Sequence, residues 1–331
     1  MAGKGAGGEA LQSNLEKDQE LKQLLIEATP WLADAQNETE QKKNIALLFD
    51  DNVTDQAMQA LLIKLKDLQN PSGAFSWFKG GYDDRYITQY ILTGIGKLYS
   101  LNAVSQEQKN ALQPFIENAM RYLDISIQRD YDQLKQYNID LSNNNLGYTQ
   151  MQYLLMRSYF NDMPGRPEAY NYYYSQCKTY WNKQNSYFKA MISLVLYRSI
   201  DKNFVKQNIL PSVLENTVTN TDGALYWKDL QGGYYWYQQP IEQQAFMIEA
   251  MNEIANTEND ASLKDKVGDM QLWLIRNKQT NNWKTSKATA DACYALLAPQ
   301  PPKGGLEEST LLTSERNVKI CLGRKVIVPS N

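Results

Sequence analysis

Three stretches of this chain repeat one pattern, and that repeat limits the fold more than any other feature. Phe75-Ser76-Trp77-Phe78 runs through a Gly-Gly turn into Arg85-Tyr86-Ile87-Thr88-Gln89-Tyr90-Ile91-Leu92. Tyr235-Trp236-Tyr237 runs through Gln238-Gln239-Pro240 into Ile241-Glu242-Gln243-Gln244-Ala245-Phe246-Met247. Asn282-Trp283-Lys284 runs into Ala288-Thr289-Ala290-Asp291-Ala292-Cys293-Tyr294. Each is an aromatic turn feeding a helix of small and apolar residues. Recurring units of this kind build helical arrays, because each unit buries its apolar face against its neighbours.

The helical periods continue along the chain. Leu21 to Ala28 and Glu38 to Phe49 have helical spacing, separated by a break at Thr29-Pro30-Trp31. Asp51-Asn52 is expected to end the second, and Thr54 or Asp55 to cap a helix to about Leu68. Further helices are expected over about 86–99, 106–136, 148–160, 168–181 and 186–200. Pro114 reads as an opening or a kink in the long one. Pro211 is expected to open the next helix, and others follow at about 240–255, 261–278 and 286–298. Residues 224–238, dense in aromatics, read as extended or irregular, with a hairpin as one form. About twelve helical segments fit an α/α toroid, a closed ring of alternating inner and outer helices. The fold class expected is therefore all-α. Residues 1–18 read as a flexible tail, 19–298 as the toroid domain and 299–316 as a Pro/Gly linker. Residues 317–331 read as a β-hairpin that starts a truncated β domain.

Several functional classes fall away on composition. The net charge of −3 and the lack of a Lys/Arg stripe offer nucleic acid no partner surface. No apolar run is long enough for a transmembrane helix, and the first residues lack the apolar core of a signal peptide. There is no histidine, which removes His-based triads and most zinc sites. Cys177, Cys293 and Cys321 are far apart and form no C-x-x-C pair, so no metal or cofactor is expected. Cys177 and Cys293 read as buried, inert thiols.

The candidate binding residues each have a plainer explanation beside the functional one. Trp77, Phe78, Tyr82, Trp227, Tyr234, Tyr235, Trp236, Tyr237 and Trp283 could stack on sugar rings. The repeat itself accounts for them as plugs between helix ends. Asp83-Asp84 could be catalytic or ligating, but reads as the N-cap of the helix from Arg85. Asp222 reads as a turn acid and Glu242 as an ordinary first-turn acid. The helix with Tyr170, Tyr172, Tyr173, Tyr174 and Tyr180 reads as an outer helix, with some rings packed and some hydrogen-bonded.

Leu65-x-x-Leu68-Gln69-Asn70-Pro71-Ser72-Gly73-Ala74-Phe75-Ser76-Trp77-Phe78 resembles the repeat start of terpenoid-cyclase-type toroids. Extended through Lys79-Gly80-Gly81 and Arg85 to Leu92, and joined by Asn282 to Ala292, it resembles a more specific group. That group is the thioester-type helical domain of bacterial alpha-2-macroglobulins, the Bacteroidetes kind, over residues 20–298. The resemblance implies a secreted, periplasmic or cell-surface multidomain protein, often lipid-anchored, that traps proteases. Its partners would be neighbouring domains of the parent chain and target proteases. The family's thioester comes from a C-x-E-Q motif. The matching region, around Thr29, Pro30 and Trp31, lacks it, and no cysteine is followed by x-Glu-Gln. The resemblance thus implies a non-catalytic member that works sterically. The alternative from the enzyme class is an α/α-toroid glycosidase or polysaccharide lyase. Its carboxylates would be Asp83, Asp84, Asp222 and Glu242, with aromatic subsites at Trp77, Trp236 and Trp283. An open cleft would favour that alternative; a centre plugged by side chains would favour the first reading.

Overall fold

A computed structural model of the chain describes residues 51–101, 104–230, 239–278, 283, 285–297, 320–322 and 325–327. The expected helices around 21–28 and 38–49, the tail, the linker and the Thr29-Pro30-Trp31 break lie outside the described residues. So do Tyr234, Tyr235, Trp236 and Tyr237.

Most of the described chain is helical, in line with the all-α expectation. The main helices are α1 (Asp51–Leu68), α2 (Arg85–Ser100), α3 (Gln106–Gln136), α4 (Tyr148–Ser158), α5 (Glu168–Tyr180) and α6 (Ser186–Tyr197). After them come the short α7 (Lys202–Phe204) and α8 (Leu210–Glu215), then α9 (Pro240–Glu258), α10 (Ala261–Arg276) and α11 (Ser286–Leu297).

Local chemistry sets most of the starts. Asp84 accepts from the Ile87 N–H at 2.8 Å and caps α2. Ser105 and Gln108 form a reciprocal capping box on α3. Asn185 and Asp260 cap α6 and α10. Asn259, at φ 52°, turns the chain out of α9 in the left-handed region.

Three boundaries differ from expectation: the start of α1 and the ends of α4 and α6. Thr54 and Asp55 lie inside α1, as do Asp51 and Asn52, so that helix begins earlier than the capping signals suggested. α3 is one continuous helix of 31 residues that contains Pro114. α4 and α6 end two or three residues short of the expected Phe160 and Ile200. Pro211 stands at the opening of α8, as expected, but the segment before it is already helical. The helical path starts at Lys202 and passes through a π-helical stretch, Val205–Ile209, before α8. Proline has no N–H to give the preceding turn, and the wider π register sits where that bond is lost.

Two small hairpins complete the described chain. β1 (Thr217–Thr219) pairs antiparallel with β2 (Leu225–Trp227) around the Thr221-Asp222-Gly223 turn. β3 (Ile320–Leu322) pairs antiparallel with β4 (Lys325–Ile327), with Ile320 opposite Ile327, which is the expected C-terminal hairpin.

Packing follows a chain-order rule. α2 packs on α4, α4 on α6, α6 on α9 and α9 on α11. α11 comes back to α2: Lys287 Nζ lies 5.4 Å from the Tyr90 ring centroid, and Lys97 Nζ 4.5 Å from that of Tyr294. The helices between them, α3, α5, α8 and α10, pack against these five. α6 and α9 are buried along most of their length, and one apolar cluster extends from Leu65 to Leu296.

The first aromatic turn shows how tightly these elements meet. Gly73 has φ +91°, and a Cβ there would stand 2.2 Å from the Asn118 carbonyl oxygen on α3. Only glycine fits both the backbone angle and that approach. The Gln69 side chain ties the turn to Gly73 O and Phe115 O at 3.0 and 2.9 Å. Phe75 is then fully buried, with its N–H on Thr88 Oγ1.

Candidate functional site

Where the five sequentially packed helices face one another, they carry polar rather than apolar stripes. On α2 these are Tyr86, Tyr90 and Lys97; on α9, Glu242 and Glu249; on α11, Lys287, Asp291 and Tyr294. Spacings of four and seven keep each set on one helix face. Tyr148 and Gln152 of α4 and Tyr187 of α6 join them around a central cavity of about 60 Å³. Ligand pockets are typically about 300–1,000 Å³, so this centre is filled by side chains.

The charges there are matched in pairs. Lys97 Nζ meets Glu249 Oε2 at 2.6 Å, and Tyr159 donates its hydroxyl to Glu249 Oε1 at 2.6 Å. Arg198 holds Glu253 through two guanidinium nitrogens and stacks 3.9 Å from the Tyr159 ring centroid. Lys287 pairs with Asp291 one turn along α11. Burial pushes the Tyr159 and Tyr187 hydroxyls well above the ordinary tyrosine pKa. Towards the C-terminal ends of these helices the stripe opens into a cavity of about 390 Å³, walled by Tyr159, Tyr197, Tyr294 and the Arg198–Glu253 pair. A second buried charge set lies between α3 and α4. Tyr153 donates to Asp124 at 2.5 Å, and burial raises the Asp124 carboxyl pKa. The neighbouring Arg157 is completely buried.

Glu242 departs from its expected role. It is only 5% exposed and lies in the first turn of α9, not on a solvated surface. Burial pushes its pKa up; its own backbone N–H, Lys287 and the Thr285 hydroxyl at 3.4 Å act in the opposite sense. The following residues of α9, Gln243, Gln244 and Ala245, are buried with it.

The same carboxylate borders a third cavity of about 540 Å³, together with Tyr226, Trp227, Trp273 and Trp283. Trp227 and Trp283 are buried, and their indole N–H groups donate to Val213 O at 2.8 Å and Leu274 O at 3.1 Å. These two are packing residues, as the repeat implied. Tyr226 and Trp273 stack at 5.8 Å between centroids.

The structure brings Glu242, Trp227 and Trp283 together and leaves Trp77, Phe78, Tyr82, Asp83, Asp84 and Asp222 elsewhere. Trp77, Phe78 and Tyr82 do not plug helix ends: they are 63%, 67% and 96% exposed. Ala74, Phe75 and Ser76 are buried, and the turn faces outward from Trp77 on. Asp84 is the helix cap and also accepts from Trp77 Nε1 at 2.9 Å. Asp83 accepts from Asn70 Nδ2 at 2.8 Å. Both are thus structural acids of the turn. Asp222 pairs with Arg276. Cys177 is fully buried beside Met151, whereas Cys293 is half-buried rather than fully so. On α5, Tyr170 and Tyr173 pack inside, while Tyr172 and Tyr174 donate to Leu141 O and Asp201.

No known protein family and no curated protein matches this chain. Among the described residues, no cluster of His, Cys, Asp or Glu could hold a metal ion, and no helix is long and apolar enough to cross a membrane. The sequence reading missed Lys97, Arg198, Glu249, Glu253, Lys287 and Asp291. Charged residues seven apart, as at Glu242 and Glu249, share a helix face, but that spacing alone does not say whether the face is inside.

Proposed function

We propose that this chain is a non-catalytic α/α-toroid domain of an alpha-2-macroglobulin-like protease inhibitor. In this reading α2, α4, α6, α9 and α11 are the inner ring, and the helices between them the outer one. The observation that carries it is the centre. The inner faces close on one another through Lys97–Glu249 and Lys287–Asp291 and leave about 60 Å³ between them, while Arg198–Glu253 walls the 390 Å³ cavity at the C-terminal ends. A middle filled by paired side chains in this way holds a scaffold rigid. With no C-x-E-Q cysteine in the sequence, trapping would be steric. The partners are neighbouring domains and target proteases, and the location is periplasmic or cell-surface.

The test uses the full-length parent protein mixed with a broad-specificity protease. Cleavage of a large protein substrate should fall while cleavage of a small peptide persists. If both activities are untouched across several proteases, the inhibitor reading fails.

The glycan-cleaving alternative rests on Glu242 beside Trp283 in the 540 Å³ cavity. Glycoside hydrolysis commonly needs two carboxylates about 5–10 Å apart. Among the described residues that line this cavity, Glu242 is the one carboxylate. Release of reducing or unsaturated ends from a polysaccharide panel would reverse the preference.

A further inference from the structure

The interior acids and bases match one to one, with one exception. Glu249, Glu253 and Asp291 each have a cationic partner in Lys97, Arg198 and Lys287. Glu242 is more buried than Glu253 or Asp291, it has to share Lys287 with Asp291, and its side-chain hydrogen bond is a long one, from Thr285 Oγ1 at 3.4 Å. Four interior carboxylates thus share three cations, and a buried carboxylate with only part of a counter-charge is costly, so Glu242 marks a place on the cavity wall where a further cation would complete the balance.

A second acceptor on the same wall is also unmatched. Gln244 is 1% exposed; its Nε2 donates to Leu225 O at 3.1 Å and Met270 O at 3.4 Å, which leaves Oε1 without a partner. Opposite these acceptors stand the stacked Tyr226 and Trp273 rings. The indole N–H groups of Trp227 and Trp283 are already used on carbonyls, so both rings offer π surface and no donor. Lys228 is exposed and keeps a partner of its own. The cavity therefore combines a carboxylate, an amide oxygen and aromatic faces in about 540 Å³, a volume typical of small-molecule pockets. Acceptors plus ring faces suit a cation, because the ring quadrupole attracts positive charge and the carboxylate neutralises it.

We infer that the cavity beneath Trp283 is a binding site for an organic cation, an alkylammonium or guanidinium group, held by Glu242 and Gln244 against the Tyr226–Trp273 face. The source is either a lysine or arginine side chain of a partner segment or a free amine. The inference does not rest on the inhibitor reading and is measured without any protease.

The experiment is calorimetric titration of the chain with N-acetyl-lysine methylamide, N-acetyl-arginine methylamide and 1,4-diaminobutane, alongside N-acetyl-norleucine methylamide as the neutral isostere. The cationic probes should bind roughly tenfold or more tightly than norleucine. Glu242→Gln should remove most of that difference. If Glu242→Gln does not fold, Tyr226→Leu at the half-buried wall is the second variant, and it should weaken the cations while sparing norleucine. Preference for the capped amino acids assigns the site to a peptide side chain; preference for diaminobutane assigns it to a free amine. Equal binding of norleucine, full affinity in Glu242→Gln, or no binding by any cation would each overturn the inference.

Discussion

Two glycines on one helix test the packing geometry directly. Gly94 and Gly96 lie two residues apart on α2. Replacing glycine by alanine in a helix interior stabilises it by roughly 0.5–1 kcal/mol when nothing obstructs the methyl group. At Gly94, which is exposed, nothing stands within 4 Å of the new Cβ. At Gly96, the Cβ would meet Tyr159 Cβ at 2.5 Å and Cγ at 2.7 Å. Carbon atoms pack best at about 3.5–4.0 Å, so α2 and the end of α4 would have to part by about 1 Å. Overpacking of that kind costs roughly 1–3 kcal/mol, more than the propensity gain. Tyr159 cannot simply rotate away, because its hydroxyl is bonded to Glu249 and its ring lies under Arg198. Gly94→Ala should therefore raise the urea midpoint and Gly96→Ala should lower it. With a slope of about 1–3 kcal/mol per molar urea, the two midpoints should differ by about 1 M. Tryptophan fluorescence or circular dichroism reads the transition. If both variants shift the midpoint upward, the close approach of α2 to Tyr159 is wrong, and with it the order of helices around the centre.

Other outcomes follow from the same structure. Trp283→Ala removes a buried ring and its bond to Leu274 O, and should cost roughly 3–5 kcal/mol in a chemical-denaturation measurement. Glu242 has its pKa raised by burial, so its contribution favours folding below the unfolded-state value near about 4.3 and is lost as pH rises through the folded value. Asp291, Lys287 and Tyr90 face it, and none of them replaces the lost hydration. Glu242→Gln should accordingly gain stability over the parent chain as pH rises from acid to neutral; a gap that stays constant with pH would contradict this.

The helical class, the aromatic turn at Gln69–Asp84 and the C-terminal hairpin were legible because their signals are local. Asp84 caps α2 wherever that helix packs, since the bond to Ile87 N is three residues away. The buried rings of Trp227 and Trp283 were legible from the repeat. Trp77, Phe78 and Tyr82 were not, because the repeat gives the composition of a turn and not which of its rings faces inward. The same limit hid the interior charges. Lys97 and Glu249 are 152 residues apart in sequence, and neither looks unusual on its own helix.

By itself, then, the sequence determined what depends on near neighbours: helix periods, caps, turn residues, the lack of a thioester cysteine and the absence of histidine. The tertiary structure alone decided which polar residues share the centre, how small a space they leave, and that Glu242 ends up buried beside Trp283, sharing Lys287 with Asp291. The physical reason is that the cost of burying a charge is set by its solvent access and its partners. Both are properties of distant segments brought together, and no local spacing encodes them.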